Sequence, residues 1–275
     1  MTHFKAACVQ LRSSDDVAEN IATASALIRQ AAAGGAKFVA TPENTTLMAP
    51  DGGAKLERSF DEDDDPALPA FRALASELGI WLLIGSLAIK TSPTKTANRS
   101  FLIDPQGVIK ARYDKIHLFD VDLPSGEKYR ESNTVAGGSQ AVIVNSSWGK
   151  IGLSICYDLR FPQLYRRLAK AGALVLTVPS AFTETTGRAH WHSLLRARAI
   201  ENGSFIIAPA QGGLHANGRR TYGHSLIIDP WGQILAEAGD EPGIILADID
   251  LEAAHGARAR IPNLEHDREF GLSEA

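Results

Sequence analysis

Two stretches far apart in the chain read almost alike: FLIDPQGVIKARYD at 101–114 and LIIDPWGQILAEAGD at 226–240. Each is an apolar run, an Asp-Pro-x-Gly turn and a second run, the pattern of a β-hairpin. Before each hairpin, apolar β-rich runs are separated by alanine-rich stretches of helical period. The fold must therefore hold the same strand–helix–hairpin plan twice. No Pro/Ser-rich linker divides the halves, so the expectation is one domain over 1–265, with a tail at 266–275.

FKAACVQL reads as the first strand. DDVAENIATASALIRQAAAGG follows as a helix, acidic at its start and ending in glycine. KFVATPEN is a strand, PALPAFRALASELG a helix, and IWLLIGSLAI a strand buried on both faces. The acidic run DEDDDP at 61–66 reads as a solvated loop leading into a helix, with metal binding as the alternative, and 117–138 as another loop. QAVIVNSSWGKIGLSIC predicts a hairpin and PQLYRRLAKAG a helix with Pro in its first turn. ALVLTVPS, SFIIAPAQ and GIILADIDL are strands, TGRAHWHSLLRARAIENG is a helix, and the last twenty or so residues look irregular. Strands alternating with helices call for a helix-covered sheet, and the hairpins make that sheet mixed. The expected class is α/β, with two mixed sheets packed together and helices outside.

Composition narrows the function classes. With 275 residues the chain can bury a large core, and 44% apolar and 22% charged residues suit a soluble globular protein. A net charge of −4 offers no basic surface to nucleic acid. No apolar run approaches the roughly 20 residues of a membrane helix, and MTHFKAACVQLRSS reads as a strand rather than a signal peptide. Two cysteines make no disulfide framework. A cytoplasmic location with free thiols is the expectation.

Ligands of α/β sheets gather beyond the carboxyl ends of strands. Three reactive side chains stand at such ends: Glu43 after KFVATP, Lys115 after GVIKARYD and Cys156 after KIGLSI. A thiolate is the nucleophile, a carboxylate can take its proton, and an ammonium favours both thiolate and oxyanion. The helix starting near Phe161-Pro162 would add its positive end. Such a set suits attack on an amide or nitrile carbon through a covalent intermediate. Taken singly, Cys156 could be a core residue, Glu43 a turn acid and Lys115 a surface lysine; Cys8, mid-strand, reads as core.

TPEN at 41–44, RYDKIHLFDVDLPSGEKYRES at 112–132 and SICYDLRFPQLYR at 154–166 resemble, in order and spacing, three signature blocks of the nitrilase superfamily of carbon–nitrogen hydrolases. The resemblance implies a four-layer α-β-β-α sandwich, a homodimer or higher even oligomer, and a Glu–Lys–Cys triad matching Glu43, Lys115 and Cys156. It also implies a second glutamate, for which Glu131 matches by spacing and Glu127 by local context, and an oxyanion donor at the Tyr157 N–H. No cofactor or metal is implied. The segments at 179–203 and 206–232 resemble the branch of deaminated-glutathione amidases and omega-amidases, which implies a small carboxylated amide as substrate. Arg160 is then the first candidate for a carboxylate anchor, with Arg219 and Arg220 for a distal group and Ser180 and Asp158 beside the site.

His190 and His192 flank Trp191 on a helix and point apart, so they share no metal. His117 is expected to pack beneath the site, and Trp191 to pack or line a wall. Omega-amidase, N-carbamoyl amidase or nitrilase activity would use the same triad. A metabolite-binding pseudoenzyme is the non-enzymatic alternative, and a papain-like Cys–His hydrolase is conceivable on composition.

Overall fold

A computed structural model describes residues 2–123 and 126–274. Met1, Ala275, and Pro124 and Ser125 of the second quoted block lie outside the described residues. The first half runs β1 (His3–Gln10), α1 (Val17–Ala33), β2 (Phe38–Ala40), a short α2 (Gly52–Glu57), α3 (Ala67–Leu78), β3 (Trp81–Ser92), β4 (Lys95–Ile103) and β5 (Ile109–Asp114). Short strands β6 (Asp120–Asp122), β7 (Lys128–Arg130), β8 (Val135–Ala136) and β9 (Ile143–Asn145) lead on. The second half runs β10 (Lys150–Leu153), α4 (Pro162–Lys170), β11 (Ala173–Thr177), α5 (Glu184–Asn202), β12 (Phe205–Ala208), β13 (Gly212–Leu214), β14 (Arg220–Tyr222), β15 (Leu226–Ile228), β16 (Ile234–Glu237), β17 (Gly243–Asp250) and α6 (Leu251–Arg260).

The repeated plan is visible in the strand order. One sheet runs β17-β1-β2-β3-β4-β5 with β8 beside β4; the other runs β16-β15-β12-β11-β10-β9. In the first, β1, β2 and β3 are parallel and β3, β4 and β5 antiparallel. In the second, β10, β11 and β12 are parallel and β12, β15 and β16 antiparallel. The two Asp-Pro-x-Gly turns are built alike. Asp104 accepts from the amides of Gln106 and Val108, both at 2.9 Å. Asp229 accepts from those of Trp231 and Gln233, at 2.9 and 2.8 Å.

Alternation along β1 makes the layers. Ala6 and Cys8 pack toward a core shared with β10, β11, β12 and β15, whereas Ala7 and Val9 pack with Ile28 of α1 and Phe71 of α3. Helices α4 and α5 cover the second sheet, through Leu164, Leu168 and Leu195. The result is an α-β-β-α sandwich. Cys8 is fully buried at the centre, and burial pushes its thiol up.

Three expectations need correction. The end of the chain is not irregular throughout: α6 forms because Asp250 caps it, accepting from the Glu252 amide at 3.0 Å, and Arg258 reaches back to carbonyls of Ala173, Asn202 and Gly203. Its apolar side is mostly alanine and leaves little periodic signal. The 117–138 stretch holds the β6–β7 hairpin, a 3-10 turn at Glu131–Asn133 and β8. The acidic run is not simply solvated, since Glu62 pairs with Arg99 and Arg112, and buried Asp65 accepts from the Ala67 amide at the start of α3. No helix among the described residues is long and apolar enough to cross a membrane.

Candidate active site

The carboxyl ends of β2, β5 and β10 bring Glu43, Lys115 and Cys156 together. Close approach of β3 to the Glu43 turn requires glycine at 85, where a Cβ would lie 2.1 Å from the Thr41 carbonyl oxygen. Cys156 has a left-handed backbone, φ 50°, and opens a 3-10 turn that runs to Arg160. That conformation costs a non-glycine residue about 1–3 kcal/mol, so its surroundings must over-determine it. They do. The Cys156 amide donates to the Pro179 carbonyl at 3.0 Å. Fully buried Asp158 accepts from the Ile155 amide at 2.9 Å, the His117 amide at 3.0 Å and Tyr113 Oη at 2.6 Å, and contacts His117 Nδ1 at 2.7 Å. The His117 ring stacks on Phe161, with centroids 3.5 Å apart. Asp158 and His117 are therefore the buttress of the cysteine turn. The 3-10 turn leads directly into α4, which starts at Pro162 as expected.

Lys115 Nζ donates to Glu43 Oε1 at 2.8 Å and to Glu131 Oε2 and Oε1 at 2.9 and 3.1 Å. Asn98 Nδ2 bridges the same carboxylates, donating to Glu43 Oε1 at 2.9 Å and Glu131 Oε1 at 3.1 Å. The Ala181 amide holds Glu43 Oε2 at 2.9 Å, and the Phe119 amide holds Glu131 Oε2 at 2.7 Å. The Cys156 thiol faces the Glu43 carboxylate closely enough for each to act on the other's charge state.

These contacts set the charge states. Burial pushes the Cys156 thiol up, the Glu43 carboxylate adds to this and the Lys115 ammonium opposes it, so the resting group is a thiol. Burial also works to raise Glu43, but the Lys115 ammonium, the Cys156 thiol and the hydrogen bond from Lys115 outweigh it and hold its carboxyl at about 2. A dry pocket alone would raise Glu43; the ion pair reverses the sign. Burial would lower Lys115, yet Glu131, Glu43 and Cys156 hold it well above its ordinary value, as a permanent ammonium.

The three groups open onto a cavity of about 470 Å³ lined also by Lys55, Phe119, Tyr129, Tyr157, Phe182 and Arg219. A match to the carbon–nitrogen hydrolase family spans residues 5–259. The chain belongs to that family. A Synechocystis protein named deaminated glutathione amidase is 43% identical over 97% of this chain and 98% of its own. The human protein of that name is 40% identical over 95% of this chain and 81% of its own. The NitFhit protein of Caenorhabditis elegans superposes with a TM-score of 0.91 at 35% identity, over 98% of this chain and 66% of the worm chain. A Saccharomyces cerevisiae member of branch 10 of the nitrilase superfamily gives 0.85 at 29% identity, over 95% of each chain. The hydrolase thus has the nitrilase-type four-layer fold.

Other expected site residues fall inside and outside the hydrolase's cavity. Glu131 and Tyr157 line it; Glu127, Arg160, Ser180 and Arg220 are not among the lining residues. Glu127 Oε1 accepts from Tyr129 Oη at 2.9 Å. Arg160 lies over the Tyr157 and Phe182 rings and reaches His190 Nδ1 at 3.3 Å, so it braces the wall. Ser180 is buried, its Oγ donating to the Val178 carbonyl, and Arg220 is exposed beside Glu184. Arg219 lines the cavity, donates to the Ala181 carbonyl at 2.8 Å and leaves its buried Nε without a partner among the described residues. Trp191 is buried behind Phe182, with centroids 4.9 Å apart. The residues missed are Asn98 and Lys55. A buried asparagine inside the apolar strand ANRSFLI was the available signal for the first. For the second, a lysine on a short helix, none existed.

Proposed function

We propose that the hydrolase cleaves the amide of a small carboxylated α-keto acid, with deaminated glutathione as substrate, through a cysteine acyl-enzyme. The observation that carries the reading is a buried carboxylate that faces a thiol and pairs with a permanently charged lysine, in one cavity with an arginine Nε that has no partner among the described residues. The relatives named deaminated glutathione amidase support the substrate assignment.

Cys156 Sγ attacks the amide carbon as its proton passes to Glu43. The carbonyl oxygen becomes an oxyanion facing the Lys115 ammonium and the Tyr157 N–H. Glu43 returns the proton to the leaving nitrogen, the C–N bond breaks, and a thioester remains. Water then attacks the thioester, giving its proton to Glu43. Collapse frees 2-oxoglutarate and restores the thiol. Burial holds Cys156 as a thiol and Lys115 holds the Glu43 carboxyl low, so in this reading thiol deprotonation accompanies attack rather than preceding it. Glu131 and Asn98 keep Lys115 and Glu43 aimed. Arg219 and Lys55 supply the cationic wall for substrate carboxylates, the role first expected of Arg160. The reading treats 1–265 as one hydrolase domain with 266–275 as tail, working as a cytoplasmic homodimer or higher even oligomer.

A turnover panel of deaminated glutathione, 2-oxoglutaramate, N-carbamoyl acids and nitriles tests this. The expected result is highest kcat/KM on deaminated glutathione, with a mass adduct on Cys156. Preference for a carbamoyl acid or nitrile would reassign the substrate class. Binding without turnover would make the protein a pseudoenzyme.

A further inference from the structure

Away from the cavity, His192 on α5, His224 between β14 and β15, and Glu237 at the end of β16 converge. His192 Nε2 and His224 Nδ1 approach the same oxygen, Glu237 Oε1, at 2.9 and 3.0 Å. All three atoms lie within 4.8 Å of one another. Each side chain is about one-third exposed, at 31%, 30% and 36%, so the cluster is open to ions from solvent.

The backbone is bent to make this cluster. His224 is left-handed, φ 53°, in a conformation unusual for any residue but glycine. Its amide donates to the Gly239 carbonyl at 2.8 Å, its carbonyl accepts from Trp191 Nε1 at 2.7 Å, and its ring stacks on Tyr222 with centroids 4.3 Å apart. The His192 ring meets Tyr222 edge-on at 6.0 Å. Helix α5 comes this close because of Gly187, where a Cβ would lie 2.3 Å from Tyr222.

We propose that His192 Nε2, His224 Nδ1 and Glu237 Oε1 form a Zn²⁺-binding site whose fourth position is open to water. Two imidazoles and a carboxylate match the ligand preference of zinc. Zinc holds nitrogen and oxygen ligands at about 2.0–2.2 Å, which at tetrahedral angles sets ligand atoms roughly 3.3–3.5 Å apart. The two approaches to Glu237 need to open by only a few tenths of an ångström. His190, although close in sequence, lies against Arg160 and takes no part.

The ion would fasten α5, β16 and the β14–β15 link behind one wall of the cavity. Tyr222 donates its amide to the Phe182 carbonyl at 3.0 Å, and Thr183 bridges Thr221, so the elements joined by the ion carry lining residues. The site's existence does not depend on which amide the enzyme cleaves.

The test uses full-length protein carrying Cys156→Ala, which removes the cavity thiol as a competing ligand. Chelator-stripped protein is titrated with ZnCl₂ by calorimetry and with CoCl₂ by absorption. The expected result is one ion per chain, ligand-field bands of four- or five-coordinate cobalt, and a zinc-dependent rise in Tm. His192→Asn and Glu237→Gln, checked for folding by circular dichroism, should each weaken zinc binding by at least about tenfold. His190→Asn should not. Unchanged zinc affinity in the His192 and Glu237 variants, or no saturable binding by the parent, overturns the proposal.

Discussion

Replacing Glu131 by Gln keeps shape and removes one charge, and the structure says why this isostere fails. Both carboxylate oxygens face donors only: Oε1 faces Asn98 Nδ2 and Lys115 Nζ, and Oε2 faces Lys115 Nζ and the Phe119 amide. A glutamine must turn its NH₂ toward one of these pairs, whichever way it flips. Two charge-assisted hydrogen bonds are then lost, at about 1.5–3 kcal/mol each, or about 3–6 kcal/mol in all. For a chain of this size that corresponds to a fall in Tm of roughly 5–10 °C. Lys115 is left with Glu43 as its remaining carboxylate, which tightens that pair, weakens the base and shifts the ammonium from the oxyanion. The kcat should fall by about 10²–10³ with little change in KM. Glu127→Gln, outside the cavity lining, should behave as the parent. Steady-state kinetics and calorimetric melting of both variants decide it. A Glu131→Gln enzyme with kcat within about twofold of the parent and an unchanged Tm would refute the reasoning.

Further outcomes follow from other parts of the site. Cys156→Ala should fold and lose turnover, and Lys115→Ala should be as inactive, whereas a papain-like Cys–His mechanism would spare the latter. Arg219→Ala should raise KM for carboxylated amides about 10–100-fold, the loss of one charge-assisted contact, while Arg220→Ala should leave KM unchanged; equal effects would remove Arg219 from the binding wall. Buried His215 contacts the Ser13 carbonyl at 2.8 Å and Thr221 Oγ1 at 2.7 Å, and burial lowers it from 6.5 to about 4. The unfolded chain therefore binds the proton first as pH falls. The stability contributed by neutral His215 is whole above pH 6.5 and is lost down to about pH 4, about 3 kcal/mol in all. Urea unfolding across that window should show the slope in the parent and a smaller one in His215→Asn; parallel slopes would contradict it.

How much of this was legible in sequence depended on how local each cause is. The paired hairpins were readable because Asp104 and Asp229 bond amides within their own turns. Glu43, Lys115 and Cys156 stood out because strand ends are marked by the loss of apolar residues. Arg160 is a candidate through its nearness in sequence to Cys156; the structure places its guanidinium on the Tyr157 and Phe182 rings, a position that sequence spacing does not give. Asn98 and the His224–Glu237 partners of His192 were illegible for one reason, namely that their meaning lies in strand pairing between distant segments. The direction of Glu43's shift is illegible in sequence as well, because burial is inferable from one segment, whereas its opposition by Lys115 requires two.

The repeat explains where the chemistry lies. β2 and β11 are equivalent central strands, and each ends in a proline turn, Thr41-Pro42-Glu43 in one half and Val178-Pro179-Ser180 in the other. The first turn carries the carboxylate. Its counterpart carries no reactive group into the cavity: Ser180 turns inward to the Val178 carbonyl, while the Pro179 carbonyl holds the Cys156 amide and the next amide, of Ala181, holds Glu43 Oε2. One copy of the turn thus supplies the carboxylate and the other fixes both that carboxylate and the cysteine through its backbone. Side-chain changes at Ser180 should therefore matter less than anything that moves the Pro179–Ala181 backbone. Ser180→Ala tests this directly. It removes the hydroxyl and its bond to the Val178 carbonyl but neither of those two backbone contacts, and it should retain kcat within a few fold. A loss of the size expected for Glu131→Gln would mean that the Ser180 hydroxyl itself serves the reaction.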